Sequence, residues 1–187
     1  MEENKRSALL PLSEWAHLNE VDLRKEIIKK IMNGETAYAY FIDEYRQKIE
    51  NSDIKNGVDK ILLDLIDQVD SGVGEQALLV CVHLMLIGIK EKILAILPKI
   101  EALCGNIQKN PFVEKCGIQI QYLFEFNLAV RRLNLKEAKD FLVKQLGPVK
   151  GLSPQPGVTK EFYLYQLAQS ALDALKKIDP ELAKKHQ

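Results

Sequence analysis

The pattern that decides the fold lies in the stretch Ala171-Leu172-Asp173-Ala174-Leu175-Lys176-Lys177-Ile178-Asp179-Pro180-Glu181. Its apolar residues recur every three or four positions, which is the period of a helix with one buried face. Asp179 and Pro180 then interrupt the pattern, because an aspartate can cap a new helix and a proline suits its first turn. The stretch therefore predicts the end of one helix and the start of the next.

Similar phrases recur upstream: Asn33-Gly34-Glu35, Gly88-Ile89-Lys90-Glu91 and Asn134-Leu135-Lys136-Glu137. The residues that interrupt the helices lie 54, 46 and 46 residues apart: Gly34, Gly88, Asn134 and Pro180. A repeat of this length, in which each helix pair buries its apolar face against its neighbours, is typical of α-solenoids. We therefore predict an all-α fold of antiparallel helix pairs.

The period of 46 residues and the phrase at 171–181 resemble the HEAT and armadillo families of helical repeats. The resemblance covers the short phrases around residues 88, 134 and 180. It implies a HEAT-like α-solenoid that presents a surface to another macromolecule. Two segments that are apolar on every side, residues 75–87 and 111–132, fit a compact irregular helical bundle equally well. The sequence leaves both architectures open.

One domain is predicted over residues 1–187, since this length can bury a substantial core. Residues 1–12 form a frayed N-terminus, and residues 147–158 form a loop that contains three prolines and three glycines. The first long helix, beginning near residue 20, has two adjacent apolar stripes. Either Val21, Ile28 and Met32 face the core, or the stripe through Ile27 and Ile31 does.

Composition narrows the class of protein. Hydrophobic residues make up 47% of the chain and charged residues 28%, as in ordinary globular proteins. The formal net charge is zero, so the basic excess typical of nucleic-acid binders is absent. Residues 1–110 carry an acidic excess and residues 111–187 a basic one. We expect neither a nucleic-acid nor a membrane partner.

The cysteines and the apolar segments of the sequence indicate the cellular compartment. Cys81, Cys104 and Cys116 form an odd set without CxxC spacing, which favours free thiols in a reducing compartment. The N-terminus lacks the apolar segment of a signal peptide, and the longest nearly apolar run, residues 77–89, is too short to cross a bilayer. We predict a cytoplasmic, soluble protein.

No catalytic, cofactor-binding or metal-ligating residue is predicted. Glu14 and His17 have the Glu-x-x-His spacing of di-iron proteins, but such a site needs a second phrase and further carboxylates. Cys81 and His83 are two residues apart on a helix and therefore point away from each other. Gly72 and Gly74 precede a helix without the lysine and strand of a phosphate-binding loop.

The residues around Leu63 form the first candidate protein-binding surface. Leu63 lies on the polar side of an amphipathic helix, and an exposed leucine among carboxylates is one form that a binding hot spot takes. Leu63 covering a neighbouring helix is the alternative. The carboxylates of this acidic segment are Asp59, Asp64, Asp67 and Asp70.

Phe162 and Tyr165 form the second candidate. They lie three residues apart, off the apolar stripe of their helix, directly after the Pro/Gly loop. They are either anchors for a partner or packing residues for that loop. Tyr40, which also lies off its helix's core stripe, is the third candidate.

These features favour a non-enzymatic protein–protein interaction module, a small helical-repeat adaptor or inhibitor. A protein that neutralises a basic toxin, of the immunity type, is one concrete form. The alternative is a small-molecule-binding or enzymatic bundle with a pocket between helices 75–87 and 111–132, lined by His83, Tyr122 and Glu125. A third hypothesis, nucleic-acid contact through Arg131, Arg132, Lys136 and Lys139, predicts strongly salt-dependent binding.

Overall fold

The computed structural model describes residues 10–34, 37–109, 117–147 and 159–186. All regular structure within these ranges is helical, and no strand occurs among them. The prediction of an all-α fold is therefore confirmed. The chain divides into two compact units, Met1–Leu86 and Ile87–Gln187. The single-domain arrangement, the solenoid and the bundle stay predictions.

The first unit begins with a 3₁₀ turn, Leu12–His17, that buries Leu12 and Trp15. The helices that follow are α1 (Glu20–Ile31), α2 (Ala37–Glu44), α3 (Lys55–Leu65) and α4 (Val73–Leu84). A π-helical turn, Tyr45–Ile49, extends α2, and a 3₁₀ segment, Ile66–Ser71, joins α3 to α4. Every residue from Gly74 to Val82 is buried, because α4 contacts α1, α2, α3 and the 3₁₀ segment. Burial on all sides therefore covers the first part of the apolar segment 75–87 and ends at Val82, while Ile87 at its far end is 95% exposed.

The second unit contains α5 (Ile89–Lys109), α6 (Gly117–Leu133), α7 (Lys139–Leu146), α8 (Lys160–Ile178) and α9 (Pro180–Lys184). A 3₁₀ turn, Lys136–Ala138, precedes α7. α8 packs against α6, α7 and α9, while α5 contacts α6. The predicted Pro/Gly loop, residues 147–158, lies outside the described residues beyond Gly147, as do residues 1–9 of the predicted frayed N-terminus.

Several helix starts follow from local side-chain capping. The side chain of Asn19 accepts a hydrogen bond from the Asp22 backbone N–H at 3.0 Å. Thr159 and Asp179 cap α8 and α9 in the same manner, through the backbone N–H groups of Phe162 and Leu182. Each cap satisfies a backbone donor that has no partner within its helix.

Two predicted helix ends were wrong in detail. α4 ends before Gly88, because Met85 adopts a left-handed conformation (φ 52°) and the Leu86 N–H donates to the Cys81 carbonyl. The phrase Asn134-Leu135-Lys136-Glu137 predicts a helix that Asn134 caps, with Glu137 closing the capping box. Asn134 instead closes α6 in the same way, with φ 53° and a Leu135 N–H bond to the Val130 carbonyl. Asparagine tolerates this conformation better than most residues, which explains its position there.

Candidate protein-binding surface

The acidic segment around Leu63 lies on α3 and the 3₁₀ segment that follows. Leu63 and Asp64 are partly exposed, and Asp67 is exposed. The side chain of Asp70 lies outside the described part of the chain. A partly exposed leucine agrees with both sequence interpretations, so the role of Leu63 in binding stays a prediction.

Asp59 is held inside the first unit and is not an exposed rim residue. Its carboxylate accepts hydrogen bonds from the Tyr45 hydroxyl and the Lys55 ammonium. Only 17% of the Asp59 side chain is exposed, and Tyr45 is 2% exposed. The prediction that Asp59 belongs to an open acidic rim is therefore corrected, because two internal donors occupy its carboxylate.

The π-helical turn positions Tyr45 for this contact. The Glu50 N–H donates to the Tyr45 carbonyl at 2.9 Å, five residues back, so the turn is wider than in an α-helix. Burial raises the pKa of the Tyr45 phenol, and the hydrogen bond to Asp59 raises it further. Tyr45 therefore stays protonated at neutral pH and remains the donor of this bond.

The two described cysteines, Cys81 and Cys104, are buried and belong to no disulfide. Burial raises the pKa of the Cys81 thiol, with a smaller contribution from the charge of Asp59. Burial also raises the pKa of Cys104 to about 11, assisted by Glu101. Both thiols are therefore protonated at neutral pH, the form that packs as a small apolar group and is a poor nucleophile. Cys116 lies outside the described residues.

Phe162 and Tyr165 lie at the start of α8 in the second unit, and both are partly exposed. The Phe162 ring is 6.2 Å from the ring of Tyr163, in an edge-on arrangement. Neither residue is buried enough to be a core residue, and neither stands fully in solvent. Their role as anchors for a partner stays a prediction.

The structure reveals a further apolar surface on α1. Leu23, Ile27 and Ile31 form its inner stripe and are buried. Val21, Ile28 and Met32 form the adjacent outer stripe, about 120° around the helix from the inner one, at spacings of seven and four residues that keep them on one face. Val21 is 64% exposed, Met32 is 43% exposed, and Ile28 is partly exposed. The choice that the sequence left open is thus settled in favour of the inner stripe.

Two ion pairs form within α1, while Glu20 and Lys30 of this helix pair with Lys60 and Glu44 on other helices. Lys25 donates to Asp22 at 2.9 Å, and this bond lowers the pKa of the Asp22 carboxyl. Lys29 contacts the buried carboxylate of Glu26 in the same i, i+3 relation. The charges of Lys25 and Lys29, which flank one side of the outer stripe, are therefore neutralised locally.

The groups proposed for an alternative pocket lie in different units. His83 belongs to the first, where its ring is 6.3 Å from that of Tyr38 and its carbonyl accepts from Arg46 at 3.4 Å. Tyr122, which is buried, and Glu125, which is partly exposed, belong to the second. The pocket stays a prediction.

The remaining sequence candidates lie on the surface. Glu14 and His17 are both exposed on the first 3₁₀ turn. The basic residues proposed for nucleic-acid contact are exposed at the end of α6 and around α7: Arg131, Arg132, Lys136 and Lys139. Among the described residues, no group of three or more His, Cys, Asp or Glu side chains is placed to hold a metal ion.

Comparison of the chain with protein-family models, curated proteins and solved structures finds no match. The resemblance to HEAT and armadillo repeats therefore stays a prediction. Within the described ranges, none of the helices combines the length and apolar character that crossing a bilayer requires.

Proposed function

We propose that this chain is a non-enzymatic protein-binding module and that the outer stripe of α1 contacts the partner. The observation that carries the proposal is the placement of Val21, Ile28 and Met32 on one solvent-facing side of a single helix. Single exposed apolar residues are common on protein surfaces, but three on one face, two of them one turn apart, form an apolar row that a groove can accept.

The energetics favour burial of this face. Full burial of an aliphatic side chain stabilises by about 1.5–3 kcal/mol relative to leaving it in water. Three such side chains supply anchors near the centre of an interface, and a partner would add contacts around them. Because Lys25 and Lys29 are already ion-paired within α1, we expect binding through the outer stripe to depend only weakly on salt.

The acidic segment is a second candidate surface within the same function. Asp64 and Asp67 reach solvent beside the partly exposed Leu63. A basic partner, such as a toxin, would be attracted by these carboxylates, and its binding would weaken steeply as salt screens the charges. Salt dependence therefore distinguishes the two surfaces.

The proposal predicts that Val21→Asp weakens partner binding about tenfold or more, because a buried carboxylate without a partner is costly. The test is affinity capture from native cells with the full chain as bait, followed by calorimetry with the purified partner. Ala39→Asp is the matched control, since Ala39 is also an exposed apolar residue in the first turn of a helix. Asp in the first turn is favourable to a helix, so neither variant should unfold the chain.

Each outcome assigns the surface. Loss of binding with Val21→Asp and retention with Ala39→Asp supports the outer stripe. Loss of partner binding with Leu63→Asp alone indicates that the partner contacts the acidic segment instead. Retention of binding by every variant contradicts both assignments.

A further inference from the structure

The second unit contains a polar cleft of about 260 Å³ between α6 and α8. Its lining comes from both helices: Asn127, Leu128, Arg131, Ser170 and Asp173. Typical pockets for drug-sized ligands begin at about 300 Å³. The volume therefore suits a smaller molecule.

Asn127 is the buried group of this cleft, and it is held in a fixed orientation. It is 1% exposed and forms a reciprocal pair with the side chain of Gln145 on α7. Each amide donates to the carbonyl oxygen of the other at 3.0 Å. Two bonds within one pair fix the plane of the Asn127 amide, and the pair uses only one of its two N–H groups. The amide is therefore a preorganised donor.

The walls of the cleft carry opposite charges on different helices. Arg131 lies one helical turn beyond Asn127 on α6, and within the described part of the chain it forms no ion pair. Asp173 lies on α8 and accepts from Lys176 at 3.1 Å. The Ser170 hydroxyl lies one turn before Asp173. Arg131 and Asp173 thus line one cleft without pairing with each other.

We propose that this cleft binds a small zwitterion, a free amino acid. The guanidinium of Arg131 and the hydroxyl of Ser170 would receive the carboxylate, because a planar guanidinium suits two-point contact with that group. Asp173 would receive the ammonium, and the fixed amide of Asn127 would donate to a polar atom of the ligand. The site shares no residue with the outer stripe and does not depend on the protein-binding function.

The test is to add each standard free L-amino acid in turn to the ¹⁵N-labelled full chain and to record the backbone amide shifts of the protein by NMR. We expect at least one to cause saturable shifts at the backbone amides of Asn127, Arg131, Ser170 and Asp173. The N-acetyl amide of the same amino acid, which has neither charge, should cause none. Arg131→Ala should weaken binding about tenfold to a hundredfold, the usual cost of losing hydrogen bonds to a charged group.

Arg132→Ala is the matched control, because Arg132 is adjacent and exposed but does not line the cleft. It should leave the affinity unchanged, and both variants should keep the wild-type circular dichroism. The proposal is overturned if no amino acid gives saturable shifts, if the blocked analogue binds equally well, or if the two arginine variants lose affinity to the same extent.

Discussion

Replacing Ile27 with alanine is expected to lower the free energy of unfolding of the first unit by about 2–5 kcal/mol, whereas Ile28→Ala should lower it by less than about 1 kcal/mol. Ile27 is fully buried on the inner stripe of α1, and its truncation leaves a cavity. Ile28 is partly exposed on the outer stripe, and alanine there also improves helix propensity.

Urea unfolding followed by tryptophan fluorescence measures this contrast. Trp15 is the single tryptophan of the chain, is 1% exposed, and stacks on Phe41 with ring centroids 6.3 Å apart. Its signal therefore reports on the first unit and not on the second. Equal losses for the two neighbouring isoleucines would show that both faces of α1 are covered, which contradicts the exposed outer stripe.

Replacing Asp59 with alanine is expected to lower the free energy of unfolding of the first unit by about 2–4 kcal/mol. The variant removes the acceptor for the buried Tyr45 hydroxyl and for Lys55. A buried hydroxyl without an acceptor carries the full cost of its lost hydration. Asp64→Ala on the same helix is the matched control and should change the free energy by no more than about 0.5 kcal/mol.

A double-mutant cycle separates the bond from the general effect of a lost charge. Tyr45→Phe should destabilise the wild type by about 1 kcal/mol. In the Asp59→Ala background the same change should have little effect or be stabilising, because it removes a hydroxyl that no longer has its acceptor. Additive losses would mean that Tyr45 and Asp59 do not interact and that Asp59 is available to a partner after all.

The helical class and many helix boundaries could be predicted because they depend on local chemistry. Asn19, Thr159 and Asp179 cap helices with their own side chains, and Gly34 adopts positive φ in the turn that follows α1. Met85 could not be predicted in the same way. Its left-handed conformation is unfavourable for its residue type, so local propensity does not predict that α4 ends there.

The candidate surfaces were harder to predict because they depend on tertiary contacts. Periodicity found both apolar stripes of α1, but only packing against α2, α3 and α4 decides which of them is buried. In the sequence, Asp59 is one of several similar carboxylates. Its hydrogen bond with Tyr45 depends on the π-helical turn, which the sequence pattern does not predict. Asn127 and Gln145 are 18 residues apart, and no sequence pattern relates them.

The central claim is that the outer stripe of α1 is open to solvent in the free chain and covered in the complex. Methyl NMR with a soluble paramagnetic agent tests this directly. In the free chain, we predict that the agent strongly broadens the methyl signals of Val21, Ile28 and Met32. Partner binding should remove that broadening. The methyl signals of Ile27 and Ile31 should change little in either state. Protection of the outer stripe in the free chain, or undiminished broadening in the complex, would contradict the claim.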